Sequence, residues 1–108
     1  MTPATAPTRL HERYHPRVDA HWMVKVHLGQ RTVLVKALDL SMAGLFLHGH
    51  PPDSVQQLTV TLPLPGAGEF TTTCTIVRRE AHGVGLAFDN LDWDHMLVLA
   101  RYLHPRLP

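Results

Sequence analysis

Residues Trp22 to Gly44 read "WMVKVHLGQRTVLVKALDLSMAG". At the front of this stretch Trp22, Val24, Val26 and Leu28 alternate with Met23, Lys25 and His27. Successive side chains of a strand point to opposite faces, so this period of two predicts a strand with one buried face. "LGQR" supplies a turn around Gly29, and "TVLVKALDL" predicts a second strand with Val33, Val35 and Ala37 on one side. The pair is expected to form a hairpin. "DLSMAG" then breaks the pattern with small and polar residues.

The same alternation continues toward the C-terminus. "LFLHG" is a short apolar strand, and "HGHPPDS" interrupts, because Pro51-Pro52 cannot sit inside a sheet. Leu58, Val60, Leu62 and Leu64 share one face of the next strand, and "GAGE" turns the chain. Phe70, Thr72, Cys74 and Ile76 share a face of "FTTTCTIVRR". After "EAHG", the strand "GVGLAF" offers Val84, Leu86 and Phe88.

The period then changes. Trp93, Met96, Leu97, Ala100 and Leu103 recur at three- and four-residue steps, which predicts an amphipathic helix. Asp92 is its expected N-cap and Pro105 its end. Trp22, Trp93 and the helix stripe are expected in the core. Leu99 widens the apolar arc and Val98 falls on its polar side, so this edge could instead mark a dimer or partner surface. Six short strands and one helix predict an all-β domain, a six-stranded antiparallel β-barrel with a C-terminal α-helix.

Composition bounds the rest. The chain has 108 residues, 44% of them hydrophobic and 18% charged, which suits one domain with a real core. Expected boundaries are a leader over 1–10, the domain over 11–104 and a short tail over 105–108. A formal net charge of +1 disfavours a nucleic-acid binder, which would usually carry a clear basic excess. The single cysteine, Cys74, rules out a disulfide within the chain and fits a reducing compartment. No signal-peptide pattern and no membrane-length apolar run is present. The expected location is cytoplasmic, without membrane insertion.

Upstream of the hairpin lies "HERYHPRV", His11 to Val18. Arg13 and Arg17 stand four apart, but Pro16 lies between them, so the segment is not helical. Two cations are therefore held close in extended chain. "DLSMAG" offers complementary chemistry at Asp39, Ser41 and Gly44. A carboxylate accepts from base N–H groups, a hydroxyl donates to phosphate, and glycine lets a ligand or backbone approach closely. Arginine presents a planar fork that matches phosphate or the O6/N7 edge of guanine. Together these groups suit a purine nucleotide that carries phosphate.

Arg13-x-x-x-Arg17 followed by Asp39-x-Ser41-x-x-Gly44 resembles the paired motifs of the PilZ domain family. The layout of hairpin, "GVGLAF" strand and C-terminal helix is similar too, and the resemblance covers about His11 to His104. It implies a barrel that binds the bacterial second messenger cyclic di-GMP. It further implies that Arg13 and Arg17 grip guanine edges and phosphates while Asp39, Ser41 and Gly44 complete the pocket. Family members that have lost the ligand usually lack one of the arginines, and both stand here. Arg9, Tyr14 and His15 are secondary candidates beside the motif. Glu12 next to the clamp disfavours the added negative charge of a second stacked ligand, so one ligand per chain is expected, unless Arg9 supplies the balancing charge.

Other features have ordinary readings. Asp39, Ser41 and Gly44 would also suit a simple turn. The nine histidines include His48-x-His50, but no spacing matches a metal site, and no metal or cofactor is expected. Gly83-x-Gly85 lies in a strand-like run and opens no helix, so it is no nucleotide loop. Cys74 lies mid-strand and Ser41 lacks a nucleophile setting, so no enzyme is expected. The expected role is a cyclic di-GMP receptor and adaptor that signals to a protein effector by ordering its N-terminal arm, in outputs such as motility, biofilm or pili. The alternative is a ligand-independent PilZ-like interaction module, with a homodimer as one partner state.

Overall fold

A computed structural model describes residues 16–107. Six strands follow in order: β1 (Val18–Leu28), β2 (Arg31–Leu40), β3 (Gly44–His48), β4 (Gln57–Leu64), β5 (Gly68–Glu80) and β6 (Gly83–Phe88). A helix, α1 (Trp93–Leu103), and one 3-10 turn (His104–Arg106) complete the chain. The strands close as β1-β2-β3-β6-β5-β4, with every pairing antiparallel. Closure leaves no free sheet edge for another chain to extend.

The alternating residues fill the barrel. Val24, Val26, Ala37, Leu58, Val60, Leu62, Leu64, Phe70, Cys74, Val84 and Leu86 are all buried. Gly29 takes a φ of 63° at the β1–β2 turn, a conformation that glycine adopts at no steric cost. The end of the barrel nearest this turn opens as an apolar cavity of about 220 Å³, lined by Val26, Leu28, Val35, Leu47, Leu58 and Val84 among others. Arg79 donates to the carbonyls of Pro51, Pro52 and Val55, which pins the loop beside that opening.

The other end is closed by α1. Asp92 caps it as expected, accepting from the His95 backbone N–H at 2.8 Å. The His95 ring stacks on Phe70 at 4.6 Å, and the indole N–H of Trp22 donates to the Tyr102 hydroxyl at 2.9 Å. The helix is turned relative to the expected stripe. Leu99, Tyr102 and Leu103 are buried, whereas Trp93 is 72% exposed and Leu97 49% exposed. Tyr102, which lies outside that stripe, decides the rotation through its hydroxyl. With a partner for that hydroxyl on β1, it anchors the buried face. Leu99 thus belongs to the core, and the outward apolar residues are Trp93 and Leu97.

Three irregularities bend the strands. Ala20 and His21 stand opposite Leu38 alone, and His21 takes a φ of 54° there. On β2, Ala37 pairs with Leu47 but Asp39 pairs with Phe46, so Leu38 is an extra residue. On β5, Ile76 pairs with Leu86 but Arg78 pairs with Gly85, so Val77 is extra. An extra residue reverses which side chains face the core beyond it. Beyond Leu38 it is Leu40 that is buried, and Asp39 faces outward.

Candidate ligand site

Arg17 is the last residue before β1, and Asp39 is the penultimate residue of β2. Val18 pairs with Leu40 and Asp19 with Asp39, so the start of β1 brings Arg17 alongside the carboxylate. Its Nη1 donates to Asp39 Oδ1 at 3.3 Å. Burial pushes the Asp39 carboxyl above its ordinary value, while the charges of Arg17 and then Arg78 pull it down. The upward push is the larger effect. Both side chains keep a free edge, being 44% and 27% exposed. This is a polar pair that still has donors and an acceptor to offer.

Ser41 and Gly44 build the turn behind this pair. The Ser41 N–H donates to the Gly44 carbonyl at 2.9 Å, and the Ala43 N–H donates to the Ser41 hydroxyl at 3.1 Å. Ser41 is buried, so its hydroxyl serves the turn directly. A Cβ on residue 44 would lie 1.8 Å from the Leu86 carbonyl oxygen on β6. Glycine is therefore required at this position by backbone packing alone, whatever a ligand needs. The turn in turn fixes the direction in which β2 delivers Asp39.

Arg13, with the secondary candidates Arg9, Tyr14 and His15 and with Glu12, lies outside the described residues. Of the five expected site residues the structure describes Arg17, Asp39, Ser41 and Gly44, and it brings all four to one end of the β2–β3 pair. The expected leader over 1–10 also lies outside the described residues.

Sequence reasoning missed two residues on the same surface. Asp39 pairs with Phe46, Phe46 with Gly85, and Gly85 with Arg78, which makes one row across four strands. Leu45 and Leu47 point into the core, so Phe46 lies on the outer side of the sheet, where it is still buried and the Arg78 guanidinium sits 5.8 Å from its ring. Strict alternation from Phe70 through Ile76 would turn Arg78 inward. A charge buried without a partner costs several kcal/mol. That cost was the legible signal that the strand must bulge before Arg78.

Among the described residues no group of three or more His, Cys, Asp or Glu side chains is placed to hold a metal ion. His48 and His50 form no such cluster, and the His50 ring lies near the Glu80 carbonyl at 3.4 Å. No helix among the described residues is long and apolar enough to cross a membrane.

A family model described as the PilZ domain matches residues 9–104, and the chain belongs to that family. No curated protein matches the chain in sequence. Solved structures share the fold. The inhibitor of motility MotI/DgrA of Bacillus subtilis superposes with a TM-score of 0.69 at 16% identity, over 85% of this chain and 49% of that one. The PilZ domain of YcgR from Escherichia coli, determined with c-di-GMP, gives 0.65 at 15% identity, over 85% and 88%. PlzA of Borreliella burgdorferi, in complex with c-di-GMP, gives 0.64 at 14% identity, over 94% and 50%. This chain thus spans about half the length of the Bacillus and Borreliella proteins.

Proposed function

We propose that this PilZ domain is a receptor for cyclic di-GMP, with Arg13 and Arg17 gripping the ligand and Asp39, Ser41 and Gly44 forming the surface beneath it. The observation that carries the reading is the Arg17–Asp39 pair at 3.3 Å in front of the Ser41–Gly44 turn. Guanine offers an O6/N7 acceptor edge for a guanidinium fork and N–H donors for a carboxylate. One cation and one anion side by side match both sets, with further guanidinium donors left for phosphate. Membership of the family and the ligand in two of the similar structures support the same reading.

The receptor passes ligand state to a protein effector by ordering its N-terminal arm, the segment ahead of β1, against the barrel. Ordering costs roughly 1–2 kcal/mol per residue in backbone entropy, which charge-assisted bonds of roughly 1.5–3 kcal/mol each can offset. No catalysis is assigned, and the proposed location is the bacterial cytoplasm. Isothermal titration with cyclic di-GMP, with GTP as control, tests the receptor. Saturable binding of cyclic di-GMP alone, at one ligand per chain, is expected, and no heat at millimolar ligand would reject it. Hydrogen exchange over residues 8–19 tests the output, and equal protection with and without saturating ligand would remove the arm from the mechanism.

A second reading has an observation of its own. Trp93 and Leu97 stand one turn apart on the solvent side of α1 and are both exposed. They would suit a ligand-independent interaction module. A pull-down or dimer equally strong with and without cyclic di-GMP, and abolished by Trp93→Ala, would favour it.

A further inference from the structure

We propose that Arg78 is a third guanidinium of the ligand face and engages a guanine base of the bound nucleotide. The assignment rests on the receptor reading and deepens it.

Arg78 shares the row Asp39–Phe46–Gly85–Arg78 on the outside of the barrel. It is there because Val77 is an extra residue, just as Asp39 is there because Leu38 is one. Two separate bulges thus turn opposite charges onto one surface line. Gly85 makes the reach possible. Arg78 Nε and Nη2 lie 2.9 and 3.0 Å from where a Cβ on residue 85 would stand, so a side chain there would displace the guanidinium. Phe46 lies beyond Gly85 along the same line, with the guanidinium carbon 5.8 Å from its ring.

The guanidinium is braced but not consumed. Among the described residues its ion-pair partner is Glu80, through Nη1 at 3.3 Å, and both side chains are more than a third exposed. Five N–H donors on a planar fork leave several for a ligand. The Arg78 charge also reaches Asp39, where it lowers the carboxyl's proton affinity next after Arg17. Asp39 therefore stands between a cation on β5 and a cation before β1. A dianionic ligand with two guanines, laid over Asp39, would meet Arg17 on one side and Arg78 on the other. An arginine held across an aromatic ring and a bare backbone suits a base edge or base plane better than a free lysine would.

Titration calorimetry on the full chain tests this with Arg78→Ala and Arg78→Lys. Both are expected to weaken cyclic di-GMP binding about tenfold or more, with unchanged melting temperature in the absence of ligand. Lysine keeps the charge and lacks the fork, so Arg78→Lys restoring wild-type affinity would overturn the base contact. Unchanged affinity in Arg78→Ala would overturn the assignment outright, while wild-type binding would leave the receptor reading intact. Absence of binding in the wild-type protein would sink both. The Arg78 Nε–Hε resonance of the wild-type protein gives a readout without mutation. It is expected to shift on addition of cyclic di-GMP, and an unmoved resonance at saturation would reject the contact.

Discussion

The Trp22 indole N–H and the Tyr102 hydroxyl meet at 2.9 Å, eighty residues apart in sequence, with their rings edge to face at 6.0 Å and 87°. This contact joins the first strand to the last helix and sets which face of α1 is buried. The Arg106 guanidinium covers the other side of Tyr102 at 3.9 Å. Tyr102→Phe would leave the part-buried indole donor without its partner. A loss of about 1–2 kcal/mol is expected, a drop of several degrees in melting temperature. Thermal unfolding followed by circular dichroism measures it, and an unchanged melting temperature would show that the hydroxyl contributes nothing.

Gly44 should tolerate no side chain. Its Cβ would strike backbone atoms of Leu86 and Ala87, which cannot swing away as a flexible side chain could. Gly44→Ala is expected to destabilise the apo barrel by about 3 kcal/mol or more, at the upper end of overpacking costs. Gly49 provides the control, since a Cβ there would meet only Val35 Cγ1 at 3.5 Å. Gly49→Ala should stay within about 0.5 kcal/mol of wild type in urea unfolding. Equal stability of the two variants would contradict the close approach of β3 and β6.

Asp39 sets stability against binding. Burial raises its folded pKa above the unfolded value of 3.8, so the folded state holds the proton more tightly than the unfolded chain. Its contribution is therefore most favourable below 3.8 and declines as pH rises through the raised folded value. Asp39→Asn should leave the apo protein at neutral pH as stable as wild type or more so. The same change removes the charged acceptor and should weaken cyclic di-GMP binding at least about tenfold. In the wild type, affinity should rise with pH across that acid window and level off above it. Melting curves and titrations from pH 4 to 7 check both parts, and a destabilised Asp39→Asn would refute the burial argument.

Cys74 is fully buried in the barrel, and burial together with the Asp89 charge pushes its thiol up to about 12. Thiolate is the reactive form, so a disulfide reagent at pH 8 should leave the folded protein unmodified and label it promptly in urea. Because the folded pKa is raised, this group's contribution to stability is complete below the ordinary thiol value of 9.0 and is lost as pH climbs toward 12. Alkaline unfolding should begin in that interval. Prompt labelling of the native protein would show that the barrel opens readily around β5.

The barrel was legible because its inner faces are written in a period of two. Leu58 to Leu64 and Phe70 to Ile76 are inside as their spacing requires. Most of the described part of the candidate site was legible as motifs too, and the structure brings Arg17, Asp39, Ser41 and Gly44 together in space. What alternation could not supply was phase beyond a bulge. Counting in twos from Ala37 or Ile76 sends Asp39 and Arg78 into the core, and pairing with β3 and β6 alone reveals the extra residue. The helix failed for a different reason. Trp93 and Leu97 fit an apolar stripe as well as Leu99 does, and only the partner of the Tyr102 hydroxyl on β1 decides between the two rotations.

The extra residues at Leu38 and Val77 also decide what kinds of change this surface can absorb. A substitution on the row alters one group and leaves the count of the strands untouched. Deleting Val77 would place Arg78 directly after Ile76, still opposite Gly85 and still outward, and would remove only the bend in β5. The damaging change is one that draws Val77 into the ladder, because Arg78 would then stand opposite Val84 and turn into a core of leucine and valine. The candidate face thus depends less on the length of β5 than on one residue being left without a partner across the sheet.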